Sequence, residues 1–390
     1  MGEKMIPLSV PNFIGRELDY VTNAIKTEWV STGGSYIDLF EKKIAEYVGT
    51  IGAVSCQNGT AGIHMALMLM GVTREQFVIV PTLTFIAAVN PVRYLGAEPI
   101  FLDCDDSLCL DPSKLEKFCK EECKVENDKL IHKASQKEIP CMVVVHVFGN
   151  MADMESIMDI ASTYHLKVVE DATEALGTYY TQGKYQGKFA GTIGDIGIYS
   201  FNGNKIITTG GGGMLVSDEK EILKKAKHMT TQAKSDELYY EHDEVGYNYR
   251  MTNIQAALGV AQLENLERFI QIKRDNFNYY RKQMADNKNY EFLLFSDKVR
   301  ANCWFYSLYL KDITNDNRDR FIQYLLEKGI QVRPIWGLIH EQKPYLNSLE
   351  YQIETASEYR KRIINIPCST KLTEKEIDII MHVINEYRGG

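Results

Sequence analysis

The chain has 390 residues, of which 45% are apolar and 25% charged, and its formal net charge at pH 7 is -8. This length exceeds what one hydrophobic core usually serves, so two packed lobes are expected. The acidic balance argues against a nucleic-acid or anionic-membrane partner. No apolar run is long enough to cross a membrane, and the start, MGEKMIPLSVPNF, lacks the apolar core of a secretion signal. We therefore expect a cytoplasmic protein whose eight cysteines are reduced structural thiols, with no metal site.

The first two thirds of the chain alternate between helices and strands. The apolar patterning predicts strands at 52–55, 77–80, 99–103, 142–145, 167–171, 196–200 and 213–216. It predicts helices at 37–48, 59–70, 84–95 and 153–164, and a charged helix and loop at 111–138. Continuous apolar strands separated by helices are typical of an α/β fold with a largely parallel sheet covered by helices on both faces.

The pattern changes after a long polar helix predicted near 253–287. Residues 304–310 alternate as a strand, and helices are predicted at 317–328 and 373–387. The sequence therefore predicts a large α/β domain over residues 1–250 and a smaller C-terminal α+β domain over residues 251–390.

Two of the predicted strands end in polar residues that are candidates for a binding site. Asp171 and Ser200 occupy these ends, and ligands of parallel sheets bind at the carboxyl ends of the strands. Lys205 follows five residues after Ser200 and precedes the glycine run Gly210–Gly213. Lysine amines form imines with carbonyl compounds, and glycines allow close approach of the backbone. Taken alone, Lys205 also fits an ordinary surface loop, and Asp171 fits a helix N-cap.

Two further features are consistent with a flat, phosphorylated cofactor. Residues 59–61, Gly-Thr-Ala, open a helix directly after a strand, where free N–H groups bind phosphate. The hydroxyl of Ser200 could serve the same phosphate. Phe85 follows another strand end, where its ring could stack on a cofactor, although most phenylalanines belong to the core. A carboxylate such as Asp171 at a pyridine nitrogen keeps that ring protonated, so the four features together indicate pyridoxal 5′-phosphate.

The order and spacing of these motifs carry a family resemblance. The blocks are Asn58-Gly59-Thr60-Ala61, Pro81-Thr82-Leu83-Thr84-Phe85, Glu170-Asp171-Ala172-Thr173-Glu174-Ala175-Leu176-Gly177, Ser200-Phe201 with Lys205, and the stretch from Gly246 to Ala257. In this order they resemble the sugar aminotransferases of the DegT/DnrJ/EryC1/StrS family, from about residue 5 to the C-terminus. The resemblance implies the aspartate-aminotransferase fold (fold type I) and a homodimer with active sites shared between subunits.

The resemblance also implies a role for each site residue. Lys205 would bond to the cofactor and then carry a proton between C4′ of the cofactor and the sugar carbon. Asp171 would pair with the pyridine nitrogen, and Phe85 would stack on the ring. The remaining implied contacts are Thr60, Ala61 and Ser200 to the phosphate, Glu174 near the ring hydroxyl, and Asn248, assisted by Arg250, to the phosphate held by the partner subunit.

The sequence departs from the family pattern at two positions. Gly210–Gly213 replaces the usual Gly-Glu-Gly-Gly, and Glu174 stands where the family often has histidine or glutamine. With residues 29–35 and 333–336, these features resemble the branch that serves legionaminic-acid-type sugars. The implied reaction is amino transfer from glutamate to a nucleotide-linked 4-keto-6-deoxy sugar for bacterial surface glycans. Relatives that dehydrate sugars carry histidine in place of Lys205, which favours transamination.

Three other functions fit parts of the pattern. A fold-type-I enzyme acting on amino acids needs an arginine for the α-carboxylate, and Arg333 or Arg250 could supply it. A non-catalytic regulatory relative would typically lose Lys205 or Asp171, and both are present. An NAD-linked dehydrogenase is rejected because no Gly-x-Gly-x-x-Gly follows the first strand.

Overall fold

A computed structural model of the chain describes residues 5–236, 238–285, 287–311 and 315–387. The first four residues of the stretch MGEKMIPLSVPNF, on which the expectation about a secretion signal was based, therefore lie outside the described part. The strands are β1 (Gly52–Cys56), β2 (Phe77–Pro81), β3 (Glu98–Leu102), β4 (Cys123–Glu126), β5 (Lys129–His132), β6 (Glu138–Ile139), β7 (Cys141–Val145), β8 (Lys167–Asp171), β9 (Tyr179–Tyr180), β10 (Ile196–Ser200), β11 (Gly213–Ser217), β12 (Lys234–Asp236), β13 (Glu241–His242), β14 (Tyr290–Phe292), β15 (Val299–Arg300), β16 (Tyr306–Leu310), β17 (Arg333–Pro334), β18 (Leu349–Tyr351) and β19 (Ile363–Ile366).

The helices cover both faces of the main sheet and part of a smaller one. They are α1 (Glu17–Lys26), α2 (Ser35–Val48), α3 (Gly59–Leu69), α4 (Asn90–Tyr94), α5 (Pro112–Glu122), α6 (Met154–Tyr164), α7 (Lys220–Thr230), α8 (Asn253–Leu263), α9 (Leu266–Met284), α10 (Asn315–Glu327), α11 (Thr355–Arg362) and α12 (Glu374–Glu386). None of the helices in the described ranges combines the length and apolar character that a membrane crossing demands.

The central sheet has the strand order β1-β11-β10-β8-β7-β2-β3-β18. From β10 to β18 the neighbouring strands are parallel, whereas β11 is antiparallel to both β1 and β10. Strands β2, β7, β10 and β11 are buried along their whole length, as expected for a sheet with helices on both faces. The prediction of a largely parallel α/β sheet is confirmed.

Most predicted helices and strands are present, but the helix predicted at 84–95 is wrong. The structure has a short 3-10 turn at Ile86–Ala88 and then helix α4, in which Pro91 occupies the first turn. Pro91 has no N–H to donate to the carbonyl of Ala87, so the turn at Ile86–Ala88 and α4 do not join into one regular helix.

The prediction of a helix and a loop over residues 111–138 is correct for the helix and wrong for the loop. Helix α5 is present, but β4, β5 and β6 then form a three-stranded antiparallel sheet. Asn127 and Asp128, at φ of 52° and 58°, form the two-residue turn between β4 and β5. Two central residues with positive φ give the turn whose twist matches a hairpin, and asparagine and aspartate tolerate that conformation.

The single helix predicted near 253–287 is two helices, α8 and α9. Asn265, at φ -109° and ψ 2°, leaves the helical region between them, and its side-chain amide donates to the carbonyl of Ala261. The smaller sheet that follows has the order β14-β16-β19-β17. The boundary at residue 250 stays a prediction, and β18 from the C-terminal part joins the edge of the central sheet beside β3.

Glu170 anchors the end of β8 through buried hydrogen bonds. Its fully buried carboxylate accepts hydrogen bonds from His146 Nε2 at 2.8 Å and from the backbone N–H groups of Gly191 at 2.8 Å and Ile193 at 2.6 Å. Burial acts to raise the pKa of Glu170, but the hydrogen bonds from His146 and the backbone outweigh it and hold the pKa below its usual range. The strand end that carries Asp171 is therefore rigidly supported.

Candidate active site

A cavity of about 320 Å³ opens at the carboxyl edge of the central sheet. The ends of β1, β2, β7, β8 and β10 meet there, as parallel topology requires. The residues that line it are Asn58, Gly59, Thr60, Ile63, Thr84, Phe85, Ala87, Ala88, Val145, Asp171, Thr173, Glu174, Ser200, Asn202, Asn204, Lys205, Trp304, Phe305 and Trp336. Six of the eight predicted site residues are among them; Ala61 and Asn248 are not.

Lys205 points into this cavity rather than into solvent. Its side chain is 13% exposed, and Nζ lies 3.5 Å from Glu174 Oε1 and 4.1 Å from the centre of a Trp304 ring. The backbone N–H of Lys205 donates to the carbonyl of Asn202, which fixes the turn after β10. The interpretation of Lys205 as a surface-loop residue is therefore wrong.

Asp171 ends β8 with its carboxylate buried at the cavity wall. Oδ1 accepts a hydrogen bond from the backbone N–H of Thr173 at 3.0 Å, and turns rather than a helix follow, so Asp171 is no helix N-cap. Burial raises its pKa, against the opposing effects of Thr173 and Lys205. Because a buried carboxylate is stabilised by a cationic partner, this position suits a protonated ring nitrogen.

Glu174 is the second acid of the cavity. Oε2 accepts a hydrogen bond from the backbone N–H of Phe148 at 2.8 Å, which leaves Oε1 facing Lys205. Burial raises the pKa of Glu174 to about 7, although Lys205 and the Phe148 N–H oppose it. Near neutral pH this carboxyl group can therefore either hold or release a proton beside the lysine.

The cofactor-free protein should lose stability as the pH rises through this range because of Glu174. A carboxyl group with a raised folded pKa binds its proton more tightly in the folded state, so its contribution is complete below about 4.5 and lost as the pH passes about 7. Glu174→Gln keeps an acceptor for the Phe148 N–H but does not titrate. We expect the difference in unfolding free energy between wild type and Glu174→Gln to change by about 3 kcal/mol at most from pH 4.5 to 7, measured by urea denaturation. A constant difference would contradict the assignment.

The start of helix α3 provides unused N–H donors. The Asn58 side chain caps the helix by accepting a hydrogen bond from the Ala61 N–H at 2.8 Å. This N–H is therefore already paired, and Ala61 does not line the cavity. Gly59 and Thr60 form the first turn, where an N–H group has no acceptor within the helix. Ser200 lies across from them at the end of β10. These groups lie at the positive end of a helix, an arrangement that suits a phosphate.

The glycine run after Lys205 lets the sheet approach this helix start. A Cβ atom on Gly213 would lie 2.7 Å from the carbonyl carbon of Asn58 and 3.0 Å from the nitrogen of Gly59. Neither is flexible, because both are backbone atoms. The predicted close approach is thus between β11 and the first turn of α3, not between Gly213 and a ligand.

Phe85 lies at the mouth of the cavity and is 56% exposed, so the core interpretation is wrong. An exposed aromatic ring beside a buried amine, a buried acid and free helix N–H groups fits pyridoxal phosphate, which needs one partner of each kind. On the observed positions, Phe85 would stack on the ring, Gly59, Thr60 and Ser200 would hold the phosphate, and Asp171 would hold the proton at the ring nitrogen.

Three predicted auxiliary residues lie away from the cavity. Asn248 is exposed, and its backbone bridges to Thr231. Arg250 contacts Asp38 at 3.4 Å, and its Nε is buried with no hydrogen-bond partner. Arg333 is exposed on β17. Within the described residues, none of the arginines lines the cavity of this protomer.

Sequence reasoning missed Trp304 and Asn302. Trp304 precedes β16 and is 3% exposed, with its indole N–H donating to the carbonyl of Asn204 at 2.7 Å. The Asn302 side chain accepts from the Trp304 N–H and donates to the carbonyls of Glu174 and Leu176. Because these residues lie about a hundred positions after Lys205, only the fold brings them to the site.

Known proteins are similar to this chain over nearly its whole length. The sequence matches the DegT/DnrJ/EryC1/StrS aminotransferase family over residues 12–385. It is 37% identical over 386 residues to a GDP-perosamine synthase from Escherichia coli O157:H7, with 98% of this chain and 99% of the relative covered. It is 28% identical over 393 residues to a UDP-4-amino-4,6-dideoxy-N-acetyl-beta-L-altrosamine transaminase from Campylobacter jejuni, with 99% of each covered. The structure of Helicobacter pylori PseC, an aminotransferase involved in the biosynthesis of pseudoaminic acid, matches with a TM-score of 0.86 at 21% identity, covering 98% of this chain and 99% of PseC.

Proposed function

Because the chain belongs to the DegT/DnrJ/EryC1/StrS aminotransferase family, we propose that it moves an amino group from glutamate to the 4-keto carbon of a nucleotide-linked 4-keto-6-deoxy sugar. The family, the fold and pyridoxal phosphate as cofactor agree with the predictions from sequence. The observation that carries the proposal is the meeting of Lys205 and Asp171 in one cavity, with unused helix N–H groups at its rim.

The roles of the side chains follow from their positions. Bound pyridoxal phosphate supplies an electron sink beside the substrate carbon. Lys205 is the amine within the cavity, so it would hold the cofactor and would move a proton at the substrate carbon. Asp171 would keep the ring nitrogen protonated. Glu174, which accepts a hydrogen bond from the Phe148 N–H, faces the lysine and would be the partner of the ring hydroxyl.

The substrate class rests on the relatives. The named relatives make a GDP-linked and a UDP-linked 4-amino-6-deoxy sugar, and PseC serves pseudoaminic acid biosynthesis. We place the product of this chain in the same chemical class, an amino sugar for a bacterial surface glycan. The legionaminic-acid-type branch stays part of this proposal, and the likeness to a GDP-perosamine synthase adds a GDP-linked substrate to those that need testing.

A single assay separates these alternatives. Purified protein with pyridoxal phosphate and glutamate is mixed with the 4-keto precursor of GDP-perosamine, or with a UDP-linked 4-keto-6-deoxy sugar. We expect 2-oxoglutarate and the amino sugar to form in equal amounts with one of them. The proposal would be overturned if no keto-sugar gave 2-oxoglutarate. It would also be overturned, in favour of an amino-acid enzyme, if glutamate and a keto acid without any sugar turned over as fast as glutamate and the keto-sugars.

We also propose that two copies of the chain form a homodimer that shares its active sites. The segment before Asn248 exposes Leu238, Tyr239, Tyr240 and Val245, each more than 70% accessible, which is typical of a surface that a partner covers. Asn248 follows this segment, is exposed and does not line its own cavity. It is therefore available to the phosphate site of a partner.

Mixing two inactive variants tests this sharing. If Asn248 serves the partner, dimers of a Lys205→Ala subunit and an Asn248→Ala subunit contain one intact site, because the lysine and the asparagine of that site come from different chains. Since half of the dimers are mixed and half of their sites are intact, turnover should return to about one quarter of the wild-type value after subunit exchange. If Asn248 serves its own site, mixing restores nothing above the sum of the two variants.

A further inference from the structure

The amine of Lys205 rests on an aromatic face in the cavity. Nζ lies 4.1 Å from the centre of a Trp304 ring, and the carboxylate oxygen of Glu174 lies 3.5 Å away. The face of an indole carries negative electrostatic potential and attracts an ammonium group at this distance. Trp304 thus offers the lysine a contact that involves neither a covalent bond nor proton exchange.

Trp304 is held at two points, one on its indole ring and one on its backbone. Its Nε1–H donates to the carbonyl of Asn204, the residue directly before the lysine, at 2.7 Å. Its backbone N–H donates at 2.9 Å to Asn302, whose amide donates at 2.9 Å to the carbonyl of Glu174. Trp304 is therefore tied through its indole N–H to the backbone that carries Lys205, and through its own backbone N–H and Asn302 to the backbone that carries Glu174.

We propose that Trp304 is a positioning residue that holds the amine of Lys205 within reach of the cofactor whenever the two are not bonded. The inference rests on the proposed function, because transamination requires the lysine to leave the cofactor and return. A lysine side chain that is not bonded to the cofactor has many rotamers and would otherwise turn towards solvent. Resting on a fixed ring limits this freedom, so the amine starts each bonding step close to its target.

The test follows the bonding of Lys205 to pyridoxal phosphate in full-length protein stripped of cofactor. Trp304→Leu removes the aromatic face, and Trp304→Phe keeps a face but loses the indole N–H. The rate of covalent bonding is measured by rapid mixing and borohydride trapping. Affinity for pyridoxamine phosphate, which cannot bond to the lysine, reports on the rest of the site. Phe321→Leu is the control, since Phe321 is a buried aromatic residue stacked on Tyr290 and outside the cavity.

We expect Trp304→Leu to slow covalent bonding about tenfold with unchanged affinity for pyridoxamine phosphate, and Trp304→Phe to restore most of the rate. Phe321→Leu should bond at the wild-type rate even where its melting temperature falls. Bonding by Trp304→Leu at the wild-type rate, or a parallel loss of pyridoxamine phosphate affinity, would overturn the inference. If wild-type Lys205 does not bond to pyridoxal phosphate at all, the proposed function fails instead.

Discussion

Replacing Lys205 with alanine is expected to remove turnover and the ~420 nm absorbance of the bound cofactor together. The amine of Lys205 is buried in the cavity beside Glu174, and no other lysine lines that cavity within the described residues. The change removes both the group that bonds to the cofactor and the group that carries the proton, so turnover should fall by at least about 10³-fold. Absorbance spectra and steady-state rates with glutamate and a keto-sugar measure the two losses.

Matched variants separate this effect from a change of charge. Lys205→Arg keeps the positive charge facing Glu174 but does not bond to the cofactor, so it should be as inactive as Lys205→Ala. Lys184→Ala removes a lysine that is 54% exposed and pairs with Asp159, and it should behave like wild type. Activity retained in Lys205→Arg would show that the lysine acts only through its charge.

Replacing Asp171 with asparagine is expected to give a protein that still bonds pyridoxal phosphate but turns over about 10²- to 10³-fold more slowly. Asparagine has nearly the same shape and can still accept the hydrogen bond from the Thr173 N–H. It carries no negative charge, so it does not keep the ring nitrogen protonated, and the ring withdraws electrons less strongly. Steady-state rates measure the loss, while borohydride trapping shows that the cofactor is still bonded.

The same chemical change elsewhere serves as its control. Asp153→Asn alters the N-cap of α6, where asparagine caps as well as aspartate, so this variant should keep full activity. Turnover of Asp171→Asn within tenfold of wild type would mean that the carboxylate at the end of β8 does not act on the ring nitrogen.

The sequence was most informative at the ends of the parallel strands. Asp171 and Ser200 were predicted at one edge of the sheet because buried parallel strands are recognisable as apolar runs, and the topology then brings their carboxyl ends together. Lys205 and the start of α3 follow the same rule, since each directly follows a strand. Local patterns therefore predict this part of the site, and the structure places it as expected.

The sequence was least informative where contacts join distant segments. Trp304 and Asn302 lie about a hundred residues from Lys205, and nothing in their neighbours marks them as part of a site. The hairpin at Asn127-Asp128 was missed because the charged residues around it were interpreted as a solvated helix and loop, although the turn signal was present. The role proposed for Asn248 involves a second copy of the chain, so the contacts within one protomer do not test it.

Borohydride reduction of the protein with bound pyridoxal phosphate, followed by proteolysis and peptide mass analysis, tests the central claim most directly. We expect the reduced cofactor on one peptide, the one that contains Lys205, and we expect glutamate added before reduction to remove this label. A label on another lysine, or no covalent label on a protein that still transfers amino groups, would contradict it.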